Sequence, residues 1–254
     1  MTSGLTFDAP PLSEVVIGRR FLRRPDFLLP YFGAYWETIR AKFPRVSHAA
    51  PLIDAATQDG DVLLLPRVWF HSSDETRLIQ LQQDRFHYNW KQTRDNNEYV
   101  RFPRIQGEFL EHWENLERLV EELTKEPIQP SVAELTYVNI IEVEGAKSSV
   151  DVAKTTLRDF LWSSESRFLA DPGVFASNLS FRIPDGSDVL NVTAASANRK
   201  KDQAPLLRFE LTVTGKCTDA SFAEWSDRAH DFLVEAFRDL TTSTMHIHWK
   251  LRET

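Results

Sequence analysis

The apolar residues of this chain recur with two different periods, and this constrains its fold more than any other feature. Between residues 206 and 214, apolar and polar residues alternate strictly, which is the period of a half-buried β-strand. Between residues 103 and 123, apolar residues recur every three or four positions, which is the period of an amphipathic helix. A chain that contains both patterns in separate segments is predicted to be an α+β protein.

The same analysis along the whole chain predicts the element order β-α-β-β-β-α twice. The first half is predicted to contain a strand at 14–21, a helix at 26–43, a loop at 46–60, a strand at 62–71, a hairpin at 77–90 and a helix at 103–123. The second half is predicted to contain a strand at 133–143, a helix at 149–162, strands at 178–183, 189–197 and 206–214, and a helix at 221–240.

Repetition of this order indicates two tandem halves, 1–128 and 129–254, although their residues are hardly identical. We expect each half to form a curved antiparallel sheet with its long helix packed on one face. The connecting segment 125–130 is short and carries two prolines. The two halves are therefore predicted to pack as one compact unit.

Composition excludes several classes of protein. The chain is 42% hydrophobic, which is enough to fill a core and argues against a disordered protein. Its net charge of -7 disfavours a nucleic-acid-binding platform, and its single cysteine excludes a disulfide framework. No apolar run approaches the length of a membrane span, and residues 1–14 resemble no signal peptide. We therefore expect a cytoplasmic protein without membrane contact.

Sequence motifs of the common catalytic folds are missing. The chain has no G-x-x-x-x-G-K-[ST], G-x-G-x-x-G, G-x-S-x-G or H-E-x-x-H segment. No catalytic residue and no cofactor is predicted, and the balance is against an enzyme.

The hairpin at 77–90 offers the best candidate binding residues. On its return strand Phe86, Tyr88 and Trp90 share one face, while Arg85, His87 and Asn89 share the other. One hypothesis is a pocket lined by Tyr88, Trp90 and Tyr137, with Asn139 as the group that selects the ligand. The alternative is that Asn139 is a structural hydrogen-bonding link between strands.

Two further sites stay open as alternatives. If residues 245–249 are extended, His246 and His248 point to one side, and a third histidine at 71, 87 or 230 would complete a metal site. A basic patch of Arg19, Arg20, Arg23 and Arg24, with the segment 199–201, would suit phosphate or nucleic acid. The plainer interpretations are an amphipathic tail and ordinary solvated loop charge.

Five segments together resemble a sporadically distributed prokaryotic family of uncharacterised proteins of about 250 residues. These segments are Pro11–Val16, Leu78–Trp90, Phe102–Arg104, Leu135–Ile140 and the C-terminal stretch Ala229–Trp249. The resemblance covers nearly the whole chain and implies patchy occurrence, as in mobile or defence-type gene neighbourhoods. It implies no activity and no catalytic residues.

These observations favour a non-enzymatic binding or interaction protein, such as a regulator or partner of a neighbouring gene product. A protein partner or a small ligand fits this prediction, and homo-oligomerisation stays open. The alternatives are a metal-dependent or acid–base enzyme that uses the C-terminal histidines, and a nucleic-acid-binding protein.

Overall fold

The structure is a computed structural model that describes residues 4–53, 65–93, 99–160, 162–163, 165–184, 186–216 and 222–253. These residues form eleven strands and five helices. The strands are β1 (Leu5–Phe7), β2 (Leu12–Phe21), β3 (Arg45–Ala49), β4 (Arg67–His71), β5 (Arg77–Gln82), β6 (Arg85–Lys91), β7 (Pro130–Ile141), β8 (Ala176–Arg182), β9 (Val189–Asn198), β10 (Pro205–Lys216) and β11 (Leu251–Glu253). The helices are α1 (Leu29–Ile39), α2 (Phe102–Thr124), α3 (Ser149–Thr156), α4 (Phe222–Leu240) and α5 (Ser243–His248).

Nine strands form one sheet in the order β3-β4-β5-β6-β2-β7-β10-β9-β8, and β1 pairs with β11 in a second, two-stranded sheet. The pairs β3–β4, β4–β5, β5–β6, β8–β9 and β9–β10 are antiparallel. Helices and antiparallel strands in separate segments confirm the predicted α+β class. None of the helices in the described ranges is both long and apolar enough to cross a bilayer.

The chain divides into two compact units. The first unit comprises Met1–Val15, Leu135–Gly215 and Glu224–Thr254, and the second comprises Val16–Glu134 and Lys216–Ala223. Strands β2 and β7 contribute residues to both units. The predicted boundary at residues 128 and 129, and the tandem duplication with its helices on one face, stay predictions.

Helix α2 supplies the apolar stripe of the second unit. Pro103 lies in its first turn, where its missing N–H costs nothing, and the helix ends at Lys125 in the left-handed conformation with φ 64°. Phe109 and Trp113 are buried against Phe86 of β6, with ring centroids 5.9 and 6.0 Å away. Burial of aromatic side chains of this size dominates core stability.

Helix α4 has the corresponding role in the first unit. Phe237 lies 6.0 Å from Phe209 of β10 and 5.3 Å from Phe7 of β1, measured between ring centroids. The indole N–H of Trp225 donates to Asp188 at 2.9 Å. The helix therefore contacts β10 of the nine-stranded sheet and β1 of the two-stranded sheet.

Two local predictions are wrong. Part of the predicted loop at 46–60 is strand β3, so four strands rather than three stand between α1 and α2. The predicted helix at 149–162 ends at Thr156, because Leu157 is extended and forms a bridge with Thr241. Residues 245–249, for which the metal hypothesis required an extended conformation, lie largely in helix α5. Residues 62–64 of one predicted strand, and Ser221 of the last predicted helix, lie outside the described residues.

Candidate functional site

Strand β6 separates two kinds of environment in the second unit. Phe86 and Tyr88 contact α2, through Phe109 and His112 respectively. The alternate residues Arg85, His87 and Asn89 project from the other side of the strand, as expected from the two-residue period. All three are polar and no more than 4% exposed. Polar side chains at this depth require hydrogen-bond partners, so this side of the sheet is the candidate site.

Strand register assembles these residues with polar side chains of β4 and β5. Trp69 is opposite Gln80, and Gln80 is opposite His87, so the three form one row across three strands. Gln82 is opposite Arg85 in the next row, and Arg67 projects on the same side two residues before Trp69. We call this surface the polar face. It comprises Arg67, Trp69, Gln80, Gln82, Arg85, His87 and Asn89, with Gly18, Arg20 and Glu134 beside them.

Hydrogen bonds fix part of the polar face. The Nε2 group of Gln80 donates to Asn89 Oδ1 at 2.8 Å. Gln82 accepts from the backbone N–H of Leu52 at 2.9 Å and donates to its carbonyl at 3.0 Å. Arg85 donates to Asp84 at 3.0 Å through both Nε and Nη2. These side chains are therefore held in single orientations before any ligand binds.

Four other atoms on the polar face have no such partner. Arg67 Nε, Trp69 Nε1, Gln80 Oε1 and His87 Nε2 are buried, and none has a hydrogen-bond partner in the described part of the chain. Gln80 is 8% exposed and His87 is 4% exposed. A buried polar atom without a partner costs about 1–3 kcal/mol. Because all four lie on one face of three adjacent strands, this surface is the candidate binding site.

Glu134 provides a buried negative charge at one end of the polar face. Its Oε2 atom accepts from Arg20 Nη2 at 3.0 Å and lies 3.9 Å from His87 Nε2, which is beyond hydrogen-bond reach. Burial alone would raise the pKa of Glu134, but the neighbouring His87 and Arg20 hold it at about 2. Glu134 is therefore ionised at neutral pH.

Cations collect at the other end, around Trp69. The guanidinium carbon of Arg67 lies 5.3 Å from the indole centroid, and Lys91 Nζ lies 5.8 Å from it. Both distances are within the range of cation–π attraction. Burial and the nearby charge of Arg85 lower the pKa of Arg67. This end of the site is therefore electropositive and, since Arg67 and Trp69 are only half-buried, more accessible to solvent.

A second polar cluster lies on the α2 side, around Glu108. This carboxylate accepts from Arg77 Nε at 2.6 Å, from Tyr88 Oη at 2.8 Å and from Arg104 Nε at 3.1 Å. Burial alone would raise the pKa of Glu108, but these hydrogen bonds lower it. The cluster lines a cavity of ≈ 560 Å³. Because its central carboxylate is fully engaged, the cluster is best explained as a structural network.

The structure shows the environment of each predicted pocket residue. Tyr88 and Trp90 belong to the second unit, where Tyr88 binds Glu108 and Trp90 contacts the ring of Tyr99. Tyr137 and Asn139 belong to the first unit. The Tyr137 hydroxyl lies 2.6 Å from Nδ1 of His230, and Asn139 donates to the Phe209 carbonyl at 3.2 Å. Asn139 thus links β7 to β10, as expected if it is a structural hydrogen-bonding link between strands. The pocket formed by all four residues stays a prediction.

The proposed histidine geometry is wrong. His246 and His248 lie on helix α5, where residues two apart point about 200° around the axis from each other. His246 Nε2 is 2.9 Å from Thr241 Oγ1, and His248 is exposed. Within the described ranges, no three histidine, cysteine or carboxylate side chains come together as metal ligands.

The four N-terminal arginines lie in different environments. Arg19 is 1% exposed and lies over the rings of Trp113 and Phe222, each centroid 4.8 Å from its guanidinium carbon. Its interpretation as solvated loop charge is therefore wrong. Arg20 binds Glu134 on the polar face, while Arg23 donates to Gln83 at 3.2 Å and Arg24 donates to Asp26 at 2.7 Å. Each of the four guanidinium groups thus has a neighbouring group within the protein.

Most of the polar face has no signal in the sequence. The two-residue period places His87 and Asn89 together on one side of β6, but it does not connect them with Arg67, Trp69, Gln80 or Glu134. The available signal was the alternation of apolar and polar residues in Leu78-Ile-Gln-Leu-Gln82. This alternation places the side chains of Gln80 and Gln82 on the same side of a strand, but it does not show that this side is buried.

No protein-family model matches this chain, and no curated protein is significantly similar to it. The resemblance to a prokaryotic family therefore stays a prediction, as do the genetic context and the cytoplasmic location. The function must be inferred from the site itself.

Proposed function

We propose that this chain is a non-enzymatic binding protein that holds a small polar ligand against the polar face. The observation that carries the proposal is a group of four buried atoms, on Arg67, Trp69, Gln80 and His87, that have no hydrogen-bond partner among the described residues. A ligand that hydrogen bonds to them would recover free energy that the unliganded fold loses. The same atoms would make the site selective, because a ligand lacking one complementary group would leave its partner unsatisfied.

The fixed orientation of the surrounding side chains also supports binding. The amide of Gln80 is held by Asn89, and that of Gln82 by the backbone of Leu52. A site whose groups are already ordered pays little conformational entropy when the ligand arrives. The polar face therefore needs only a ligand of complementary shape.

A matched pair of tryptophan variants tests this function. Trp69 and Trp113 both bury an indole N–H without a partner among the described residues, but only Trp69 lies on the polar face. Wild-type protein is screened by thermal shift against nucleosides, amino acids, organic acids and phosphate esters. Affinities of the stabilising compounds are then measured by calorimetry. We expect Trp69→Phe to weaken binding at least fivefold and Trp113→Phe to leave it unchanged.

Two results would contradict the proposal. One is that no compound of the panel stabilises the protein. The other is that Trp69→Phe and Trp113→Phe change the affinity equally, because binding would then not depend on the polar face.

A further inference from the structure

The four buried atoms of the polar face that lack a hydrogen-bond partner in the described ranges differ in hydrogen-bonding chemistry. Arg67 Nε and Trp69 Nε1 can only donate. Gln80 Oε1 is an amide oxygen and can only accept. The Nε2 group of the same amide already donates to Asn89. His87 Nε2 can do either, depending on its tautomer. The ligand must therefore present acceptors toward β4 and at least one donor toward β5.

Charge adds a second requirement at the β4 end. Arg67 lies beside Trp69. Burial and the nearby charge of Arg85 both lower the pKa of Arg67. Two nearby carboxylates among the described residues are engaged elsewhere, since Asp84 binds Arg85 and Glu134 binds Arg20. An anionic acceptor would be attracted to the two cations beside Trp69, Arg67 and Lys91, whereas a neutral one would not.

The position of the cations also orients the ligand. Arg67 and Trp69 are half-buried, whereas Gln80 and His87 are almost completely buried. The charged end of a ligand is costly to dehydrate and would therefore remain at the half-buried end. Trp69 and Gln80 are opposite each other on adjacent strands, which are about 4.8 Å apart.

We infer that the ligand is a small organic anion that also carries an N–H donor. This inference rests on the proposed function and specifies its ligand class. Arg67 and Trp69 hold the carboxylate or phosphate oxygens, and Gln80 Oε1 accepts the N–H. A neutral ligand, or one without the N–H, binds less tightly because it leaves a buried group unsatisfied.

Small probes that differ by one group test the inference on the wild-type chain. N-acetylglycine carries both features, N-acetylglycinamide is neutral, and N-acetylsarcosine lacks the N–H. The phosphonate analogue of N-acetylglycine distinguishes a phosphate site from a carboxylate site. Dissociation constants are measured by NMR titration. We expect N-acetylglycine or its phosphonate to bind at least tenfold more tightly than the amide, and at least fivefold more tightly than the sarcosine compound.

Protein variants assign these differences to residues. Arg67→Gln should abolish the preference for the anion, and Gln80→Met the preference for the N–H. Arg45→Gln on the adjacent strand β3, where Arg45 binds Glu75 at the surface, should change neither preference. Melting temperatures of all variants verify that each is folded.

The outcomes separate the inference from the function on which it rests. Equal affinity for the anion and the amide, or no binding of any probe, overturns the inference. If a neutral compound of the wider panel then binds in a Trp69-dependent way, the proposed function stands and only the ligand class is wrong.

Discussion

Gly18 of β2 lies directly against the imidazole of His87 on β6. A Cβ atom at residue 18 would overlap the ring at Cδ2 and would lie 2.8 Å from the Phe86 carbonyl oxygen. The ring therefore occupies the space that any other residue at position 18 would fill. Gly18 thus helps to fix His87 at its place in the row with Gln80 and Trp69.

Gly18→Ala should destabilise the protein by about 1–3 kcal/mol, because the backbone oxygen of Phe86 cannot move without disturbing the sheet. Gly107→Ala is the matched control, since nothing lies within 4 Å of a Cβ there and residue 107 is inside helix α2. The control should stabilise by about 0.5–1 kcal/mol through helix propensity. Urea unfolding measures both free energies. Equal effects of the two substitutions would show that the Gly18–His87 contact has no energetic role.

Glu134→Gln should destabilise the protein at pH 7 by about 2–4 kcal/mol. The substitution leaves Arg20 and His87 beside a neutral amide, and removal of one partner from a mostly buried ion pair is costly. Since the pKa of Glu134 is about 2 in the folded state, its contribution is complete above the unfolded pKa near 4.5 and is lost as the pH falls toward 2. Denaturant unfolding at pH 7 and pH 3 should show a smaller difference from wild type at pH 3.

The exposed pair of Glu142 and Arg199 provides the control for Glu134. These side chains are joined at 2.9 Å but are 52% and 42% exposed. Glu142→Gln should leave the free energy of unfolding unchanged within error. If Glu134→Gln also has no effect at pH 7, the carboxylate does not organise the polar face.

His112 should make stability depend on pH in the mildly acidic range. Burial lowers its pKa to about 4, where the ring stacks on Tyr88 at 5.5 Å. An unfolded histidine titrates near 6.5, so the unfolded state binds more protons between these two pH values. The free energy of unfolding should therefore fall by up to about 3 kcal/mol as the pH drops from 6.5 to 4.

His112→Phe removes this contribution and leaves every other titratable side chain in place. The difference in unfolding free energy between variant and wild type should shift in favour of the variant by about 3 kcal/mol between pH 7 and pH 4. Parallel stability curves for the two proteins would contradict the assignment.

The elements that could be predicted from sequence are those with a strong hydrophobic period. The helical period predicts α2 at 103–123, and the helix is Phe102–Thr124; the strict alternation predicts β10 at 206–214, and the strand is Pro205–Lys216. Strand β3 was missed because it lies at the edge of the sheet with no residue fully buried, so its residues carry no alternation. Helix α5 was missed because six residues are too few to establish a helical period.

The candidate site was less predictable than the fold. Alternation placed His87 and Asn89 on one side of β6, but the row from Trp69 to His87 depends on strand register, which a single sequence does not define. Glu134 reaches the site from β7, more than forty residues further along the chain. The sequence around Glu134 does not indicate that its carboxylate meets Arg20 and His87. The aromatic residues Tyr88 and Trp90 are the more conspicuous candidates for a binding site.

The indole N–H signals of the seven tryptophans provide the most direct test of the proposed binding site. Each tryptophan contributes one such signal to a ¹⁵N–¹H spectrum, and Trp69→Phe and Trp113→Phe assign the two that matter. During titration with the tightest compound of the panel, the Trp69 signal should move downfield as it acquires a hydrogen bond, while the Trp113 signal stays fixed. A ligand that binds without moving the Trp69 signal, or that moves both equally, would contradict the assignment of the polar face as the binding site.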